Sequence, residues 1–366
     1  MEFRAEREVV LEAAQAAVRV ASSRGAGAIG GGVRIRVAAG EVEFAANDLE
    51  MAVSVSADVI VQEEGAVVVP GRVFGEVLRS LPVGGVTVCL RGSEVLIEAG
   101  SVEFVLTSLP LGDFAEFVEV SEEAEVKVGA GELAKGVRQV VRAASTDQVR
   151  PVLTGVLWAV DAEELRLVAT DTYRLAVREL SVEGGGSRRE AIVPGRALSE
   201  FSRHLQVQGD GLASVRIGET QAVCTAGRAR LVTRLVEGEF PNYRALIPEG
   251  YENRLVAKRA PLLEAVGRVG VVTGTGTPVK LHVGPEVRLS ASEQGVGAAD
   301  ETVGETSYVG EPLVVGFNPR FLADGLEATE GEGVVLEFRD PRRAVVMRGE
   351  DRSDFTYLVM PVRVTE

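Results

Sequence analysis

A strand, a sharp turn and a helix occur three times in this chain, which restricts it to folds that can hold three copies of one unit. The middle copy, AIVPGRALSEFSRHLQ from Ala191 to Gln206, is the plainest. A β-branched run meets Pro194-Gly195, which ends a strand and turns the backbone, and Leu198, Phe201 and Leu205 then return at helical spacing. The first copy is VVVPGRVFGEVLRSLP from Val67, with Phe74, Val77, Leu78 and Leu81 as its stripe. The third is VVGFNPRFLADGLEA from Val314, with Leu322 and Leu326. Arg72, Arg196 and Arg320 stand 124 residues apart, and the acids Glu76, Glu200 and Asp324 keep the same register. Asp48, Asp171 and Glu293 recur at nearly that period, and LPLGDF, LVEGEF and EDRSDF, ending at Phe114, Phe240 and Phe355, are taken to close the units.

Three units of about 120 residues account for nearly all of the 366, and each is long enough to bury its own core. The spacing predicts boundaries at residues 1–121, 122–245 and 246–366. Each unit reads as α+β. A helix over Glu8–Val20 opens the first, one over AGELAKGVRQVVRAAS the second, and one with Pro261 in its first turn the third. Short alternating or β-branched runs bounded by Gly, Asn or Ser supply strands, among them a single run from Met51 to Val61.

The formal charge of −15 argues against wrapping nucleic acid by bulk electrostatics, since nonspecific affinity comes from Lys and Arg on phosphates. Any DNA role has to be local or topological. Within that acidic chain, Lys135, Arg138, Gln139 and Arg142 form one helix face with no acid among them, opposite Leu133, Val137, Val140 and Val141. No run of about 18 apolar residues and no leader-like start is present, so a cytoplasmic protein with no membrane partner is expected. Cys89 and Cys224 sit in apolar runs as small buried hydrophobes.

Familiar catalytic and metal constellations are missing. His204 and His282 are far apart in sequence, and there is no G-x-S-x-G, no P-loop and no paired cysteine motif. Gly25, Gly27 and Gly30 match G-x-G-x-x-G, but a helix precedes them and a strand follows, the reverse of the dinucleotide arrangement. No cofactor, metal site or catalytic residue is expected. Two other readings stay open at this point, a three-domain scaffold that binds peptides and encircles nothing, and an enzyme of unrecognised type.

With TDTYRL at 170–175, FPNYRALIP at 240–248 and YLVMPVR at 357–363, the whole chain resembles the bacterial DNA polymerase sliding clamps, the beta subunits of the polymerase III holoenzyme. That resemblance implies domains of two helices on small antiparallel sheets, and two subunits closing head-to-tail into a ring around double-stranded DNA. It implies a homodimer that tethers the replicative polymerase, the clamp loader and other clamp-binding proteins without sequence specificity or catalysis. The pore would be lined by Arg24, Arg72, Lys135, Arg138, Arg142, Arg196 and Arg203. The subunit contact would place Phe104 and Leu106 against Val271 and Val272. A peptide cleft would be walled by Leu153, Thr170, Thr172, Tyr173, Arg174, Leu175, Pro241, Leu246, Asn318, Phe321, Leu358, Met360, Pro361, Val362 and Arg363. Thr172-Tyr173 stands where Gly-His is usual in the family, and Thr365-Glu366 extends the usual end.

Overall fold

The computed structural model describes residues 1–22, 30–116, 125–161, 163–184, 188–207, 211–248, 250–274 and 276–364. Its helices are α1 (Arg7–Ser22), α2 (Gly71–Ser80), α3 (Ala130–Val141), the single turn α4 (Pro151–Thr154), α5 (Gly195–Val207), α6 (Arg259–Gly270) and α7 (Pro319–Ala328). Each Pro-Gly or Asn-Pro turn predicted from sequence starts a helix, namely α2, α5 and α7. Asn318 caps α7 by accepting the Arg320 N–H at 3.0 Å, with Pro319 in the first turn.

The chain falls into two compact units. The first, Met1–Ala134 with Val182–Ser187 and Arg196–Leu235, contains two sheets. One has five strands in the spatial order Ile60–Glu63, Glu2–Glu6, Gly85–Arg91, Glu94–Ala99 and Val102–Thr107. The other has eight, in the order Glu125–Gly129, Leu212–Ile217, Gln221–Ala226, Ala229–Arg234, Met51–Asp58, Glu41–Asn47, Gly32–Ala38 and Gly65–Pro70. The expected run from Met51 to Val61 is broken at Val59, whose N–H is taken by Gly40 O at 3.0 Å, and the chain crosses there from the eight-stranded to the five-stranded sheet. Phe3, Phe44 and Phe74 meet beneath α1 and α2, with ring centroids 6.5 and 6.0 Å apart. α2 approaches α1 at Gly75, where a Cβ would fall 2.3 Å from Val18 Cγ1.

The second unit, Lys135–Ser181 with Arg188–Gly195 and Val236–Glu366, carries a nine-stranded and a four-stranded sheet. The nine run in the order Arg189–Pro194, Gly155–Val160, Glu164–Thr170, Arg174–Ser181, Arg352–Val359, Val345–Gly349, Gly333–Phe338, Asn253–Lys258 and Thr306–Val309. The four are Gly297–Thr302, Arg288–Glu293, Val279–Val283 and Leu313–Phe317. α7 crosses its sheet at Gly325, where a Cβ would lie 2.5 Å from the Tyr357 ring, and the Tyr357 hydroxyl donates to Phe321 O at 2.9 Å.

The threefold duplication is written into the hydrogen bonds. Val68, Ile192 and Gly316, themselves 124 residues apart, each accept at 2.8 Å from the segment that closes their repeat: from Leu109, Val236 and Val362 N–H respectively. Those bonds correct one landmark. Phe114 and Phe240 follow the closing bond, whereas Phe355 precedes it and lies inside the strand Arg352–Val359, so EDRSDF is not the counterpart of LPLGDF and LVEGEF. Strand pairing between repeats also enlarges the sheets beyond the small ones expected. Met51–Asp58 pairs with Ala229–Arg234, and Arg174–Ser181 pairs with Arg352–Val359.

Candidate functional site

A short turn dominates the second unit's candidate cleft. Asp171 Oδ1 accepts the N–H groups of Tyr173 and Arg174, both at 3.0 Å, while Thr170 Oγ1 accepts from Thr172 N–H at 3.1 Å and donates to Arg174 O at 2.7 Å. This closure forces Thr172 to φ 79°, a left-handed conformation rare for a β-branched residue. Tyr173 is thereby left 62% exposed and stacks on Phe321 with centroids 6.4 Å apart. The Arg174 guanidinium turns inward over the other side of the site, 4.4 Å from the Phe321 centroid, bonding Asp171 Oδ2 at 2.9 Å and Asp324 of α7.

Beneath this rim lies an apolar floor. Leu175 and Leu358 are register partners on adjacent strands and share a buried cluster with Leu157, Val168, Val177, Ile192, Tyr243 and Val346. Val152, Phe240 and Ile247 are partly buried against it. Met360, whose N–H is held by Tyr173 O at 2.8 Å, stays 40% exposed beside this floor. Pro241 and Leu246 are exposed, Pro361 and Val362 half-buried, and Arg363 exposed. Three predicted wall residues have other placements. Leu153 is buried outside the cluster and its neighbour Val152 packs there instead, Thr170 is buried as the turn's hydrogen-bonding centre, and the Asn318 side chain is committed to capping α7.

The basic face of α3 is not bare. Lys135 reaches Glu330 at 2.6 Å, Arg142 pairs with Glu327 and with Asp324 at 3.6 Å, and Gln139 is buried, donating to Ala328 O at 2.6 Å. Cations at the carboxyl end of α7 suit its dipole, and the amide satisfies an end carbonyl. The expectation of a face without acids is corrected accordingly, because the acids arrive from α7 and the residues just after it, far away in sequence. Arg138 is exposed and makes no ion pair among the described residues. In the first unit Arg196 holds the fully buried Asp48 at 2.7 Å, Arg203 pairs with Glu200 at 2.7 Å, and Arg72 lies 3.9 Å from Glu76 on an exposed surface. Arg24, and with it the glycine-rich segment before residue 30, lies outside the described residues.

Of the predicted subunit-contact residues, Val271 just after α6 is 80% exposed and Val272 half-buried. Leu106 is only 8% exposed within its own sheet, Phe104 is half-buried beside it, and Val105 on the opposite face of the same edge strand is exposed. Leu106 is therefore a core residue of its own domain.

Models of the DNA polymerase III beta subunit match the chain in all three of its parts: the N-terminal domain over residues 1–118, the central domain over 127–242 and the C-terminal domain over 244–363. The chain belongs to the DNA polymerase III beta subunit family. It is 32% identical over 378 residues to a beta sliding clamp of Streptomyces coelicolor, covering 100% of both chains. A beta sliding clamp of Staphylococcus epidermidis is 30% identical over 377 residues, covering 99% of each. Among solved structures, a sliding clamp of Bartonella birtlesii bound to griselimycin superposes with a TM-score of 0.92 at 28% identity over the full length of both.

As a member of this beta subunit family the chain has three tandem clamp domains of helices on antiparallel sheets. Several apolar residues of the floor escaped the motif comparison, notably Val152, Tyr243, Ile247 and Val346. A signal for two of them was present: Tyr243 and Ile247 flank the predicted Leu246 in FPNYRALIP, and only Leu246 points outward. Among the described residues no group of three or more His, Cys, Asp or Glu is placed to hold a metal, and no helix is long and apolar enough to cross a membrane.

Proposed function

We propose that the chain acts as a ring-shaped processivity factor, encircling duplex DNA as a homodimer and tethering the replicative polymerase, the clamp loader and other clamp-binding proteins. The observation that carries this reading is the match of all three beta subunit domain models in order along one chain. We further place the domain limits near 1–121, 122–245 and 246–366, and the protein in the cytoplasm with its DNA.

A topological grip suits the electrostatics. A chain of net charge −15 whose helix arginines are largely engaged by carboxylates has little surplus for phosphate binding, so retention has to come from closure rather than affinity. Arg138, Arg203 and Arg72, all exposed, are the residues on α3, α5 and α2 that we assign to the DNA-facing side, with Lys135, Arg142 and Arg196 as their ion-paired neighbours. No chemistry is assigned to the chain itself.

The cleft is assigned to short partner peptides bearing Leu and Phe. Leu175, Leu358 and Met360 supply an apolar, adaptable surface, and Tyr173 with Phe321 supplies a flat aromatic rim. Removing the Met360 side chain beyond Cβ should weaken such a peptide by about tenfold. The deciding experiment loads the protein onto nicked circular DNA and linearises half the sample. Retention on circles with loss from linear ends is expected; equal retention on both, or none on circles after loading, would overturn the proposal.

A further inference from the structure

A cavity in the first unit has no part in the peptide cleft. It lies between α1 and α5, with the strands Met51–Asp58 and Ala229–Arg234 as its back wall, and measures ≈ 580 Å³. That is within the range of small-molecule sites and well above what a few waters fill. Ala13, Val55, Ala57 and Ala229 give it an apolar wall, while Arg203 and His204 bring polar groups to it from α5. His204 Nε2 is buried there with no hydrogen-bond partner among the described residues. An unpartnered buried ring nitrogen is costly unless something fills the role.

Charge near that nitrogen is uneven. Glu200 is buried and clamped by two cations, Arg19 at 2.5 Å and Arg203 at 2.7 Å, so this cluster carries one net positive charge, while Glu12 of α1 adds a carboxylate to the lining. Glu200 engages the Arg203 side chain through Nη1, and a guanidinium has five N–H donors. Arg228, also on the lining, is held by Asp58 at 2.7 Å and Glu41 at 3.6 Å, two carboxylates that outweigh its charge. Burial, and then the field of Arg19, disfavours the His204 imidazolium, so the ring is the neutral partner of a charged neighbour. The cavity thus joins an apolar wall to one end with a surplus guanidinium and an imidazole N–H.

We infer that this cavity is a binding site for a small amphipathic carboxylate, with the carboxylate on Arg203 and His204 and the apolar body against Ala13, Val55, Ala57 and Ala229. A carboxylate matches the guanidinium fork and accepts from the imidazole, and a ring or short chain fills what water would leave unsatisfied.

The test uses full-length protein and three probes: 3-phenylpropionate, its neutral amide, and acetate. By ligand-observed NMR titration the carboxylate should bind with Kd on the order of 1 mM, as befits its size, and the amide and acetate at least about tenfold more weakly. Ala57→Trp, which fills the cavity, should abolish binding, and Arg203→Met or His204→Phe should each weaken it about fivefold or more. Binding of a Leu/Phe peptide to the cleft should be unchanged in Ala57→Trp and serves as the check that the variant is folded. Equal binding of acid and amide, unchanged binding in both Arg203→Met and Ala57→Trp, or no binding at 10-fold the expected Kd would overturn the inference.

Discussion

Replacing Asp324 with alanine should destabilise the second unit by about 2–3 kcal/mol, far more than its place on a helix surface suggests. Asp324 sits on α7, and its carboxylate reaches Arg174, a side chain 6% exposed against 19% for its own. Stripping one partner from a buried pair ordinarily costs ~3–5 kcal/mol, because the remaining charge stays buried without compensation. Here the loss is smaller, since Asp171 still holds Arg174 Nε at 2.9 Å and the Phe321 face remains 4.4 Å away. Glu327, one turn along the same helix, is the control: it pairs with Arg142, both partners are more than 40% exposed, and Glu327→Ala should cost well under ~1 kcal/mol. The assay is built in. Trp158, the single tryptophan, is fully buried in the second unit, so its fluorescence follows that unit through urea unfolding. With a slope of ~2–3 kcal/mol/M, Asp324→Ala should lower the midpoint by about 1 M. Equal midpoints for the Asp324 and Glu327 variants would refute the claim that the Arg174 network is a buried one.

The remaining predictions concern titration, reactivity and backbone strain. Because burial and Arg19 lower the His204 pKa from its ordinary value, the unfolded chain takes up this proton first. The first unit should therefore lose stability as pH falls below ~6.5, by at most ~1.4 kcal/mol per pH unit from this group, and His204→Gln should flatten that slope in calorimetric melts. Burial pushes the Cys224 thiol up to about 12, and Cys89 is also buried, so neither should be alkylated by iodoacetamide at pH 8 until the first unit unfolds in denaturant. Thr172→Gly relieves a φ of 79° worth ~1–2 kcal/mol and gives back part of it as unfolded-state entropy, so urea midpoints read at Trp158 should show a gain of roughly 0.5 kcal/mol rather than a loss.

Local chemistry was legible in the sequence and long-range pairing was not. Pro194-Gly195 and its two counterparts announced strand, turn and helix because a fixed φ and a missing side chain act on the backbone where they stand. The ion pairs of Lys135 with Glu330, Arg142 with Glu327 and Arg174 with Asp324 were invisible for the opposite reason: each takes that acid from α7 or the residues just after it, well over 100 residues on, so a helix wheel drawn for α3 shows only half of the charge balance. Leu106 is an intermediate case. In VEFVLT, residues 102–107, period-two alternation puts Phe104 and Leu106 on one face and the polar Glu103 and Thr107 on the other with Val105, so the pattern itself assigned Leu106 to the core. Leu153 and Val152 were confused because both lie on the single turn α4, where one position decides which side chain meets the floor.

The same repeat logic leaves two strands without a neighbour. In the first repeat the strand after the Asp48 turn pairs with the closing strand of the second, Met51 opposite Thr233 and Ala52 opposite Val232. The second repeat does likewise with the third, Arg174 opposite Val359 and Leu175 opposite Leu358. Gly297–Thr302, the strand after the Glu293 turn, is an edge of its sheet among the described residues, and so is Val102–Thr107, the closing strand of the first repeat. Unpaired strand edges attract partners, and in the proposed ring each edge finds the complementary one on a second copy. Carrying the register forward sets Gly297, which faces Glu293 as Met51 faces Asp48, opposite Leu106 and Ala298 opposite Val105 of the other subunit. A protein bearing both Ala298→Cys and Val105→Cys should form a disulfide-linked dimer on mild oxidation, with no background from the buried Cys89 and Cys224. Neither single variant should crosslink, because head-to-tail closure never brings two copies of the same strand together. A crosslink in either single variant, or none in the double, would refute this register and the head-to-tail closure that predicts it.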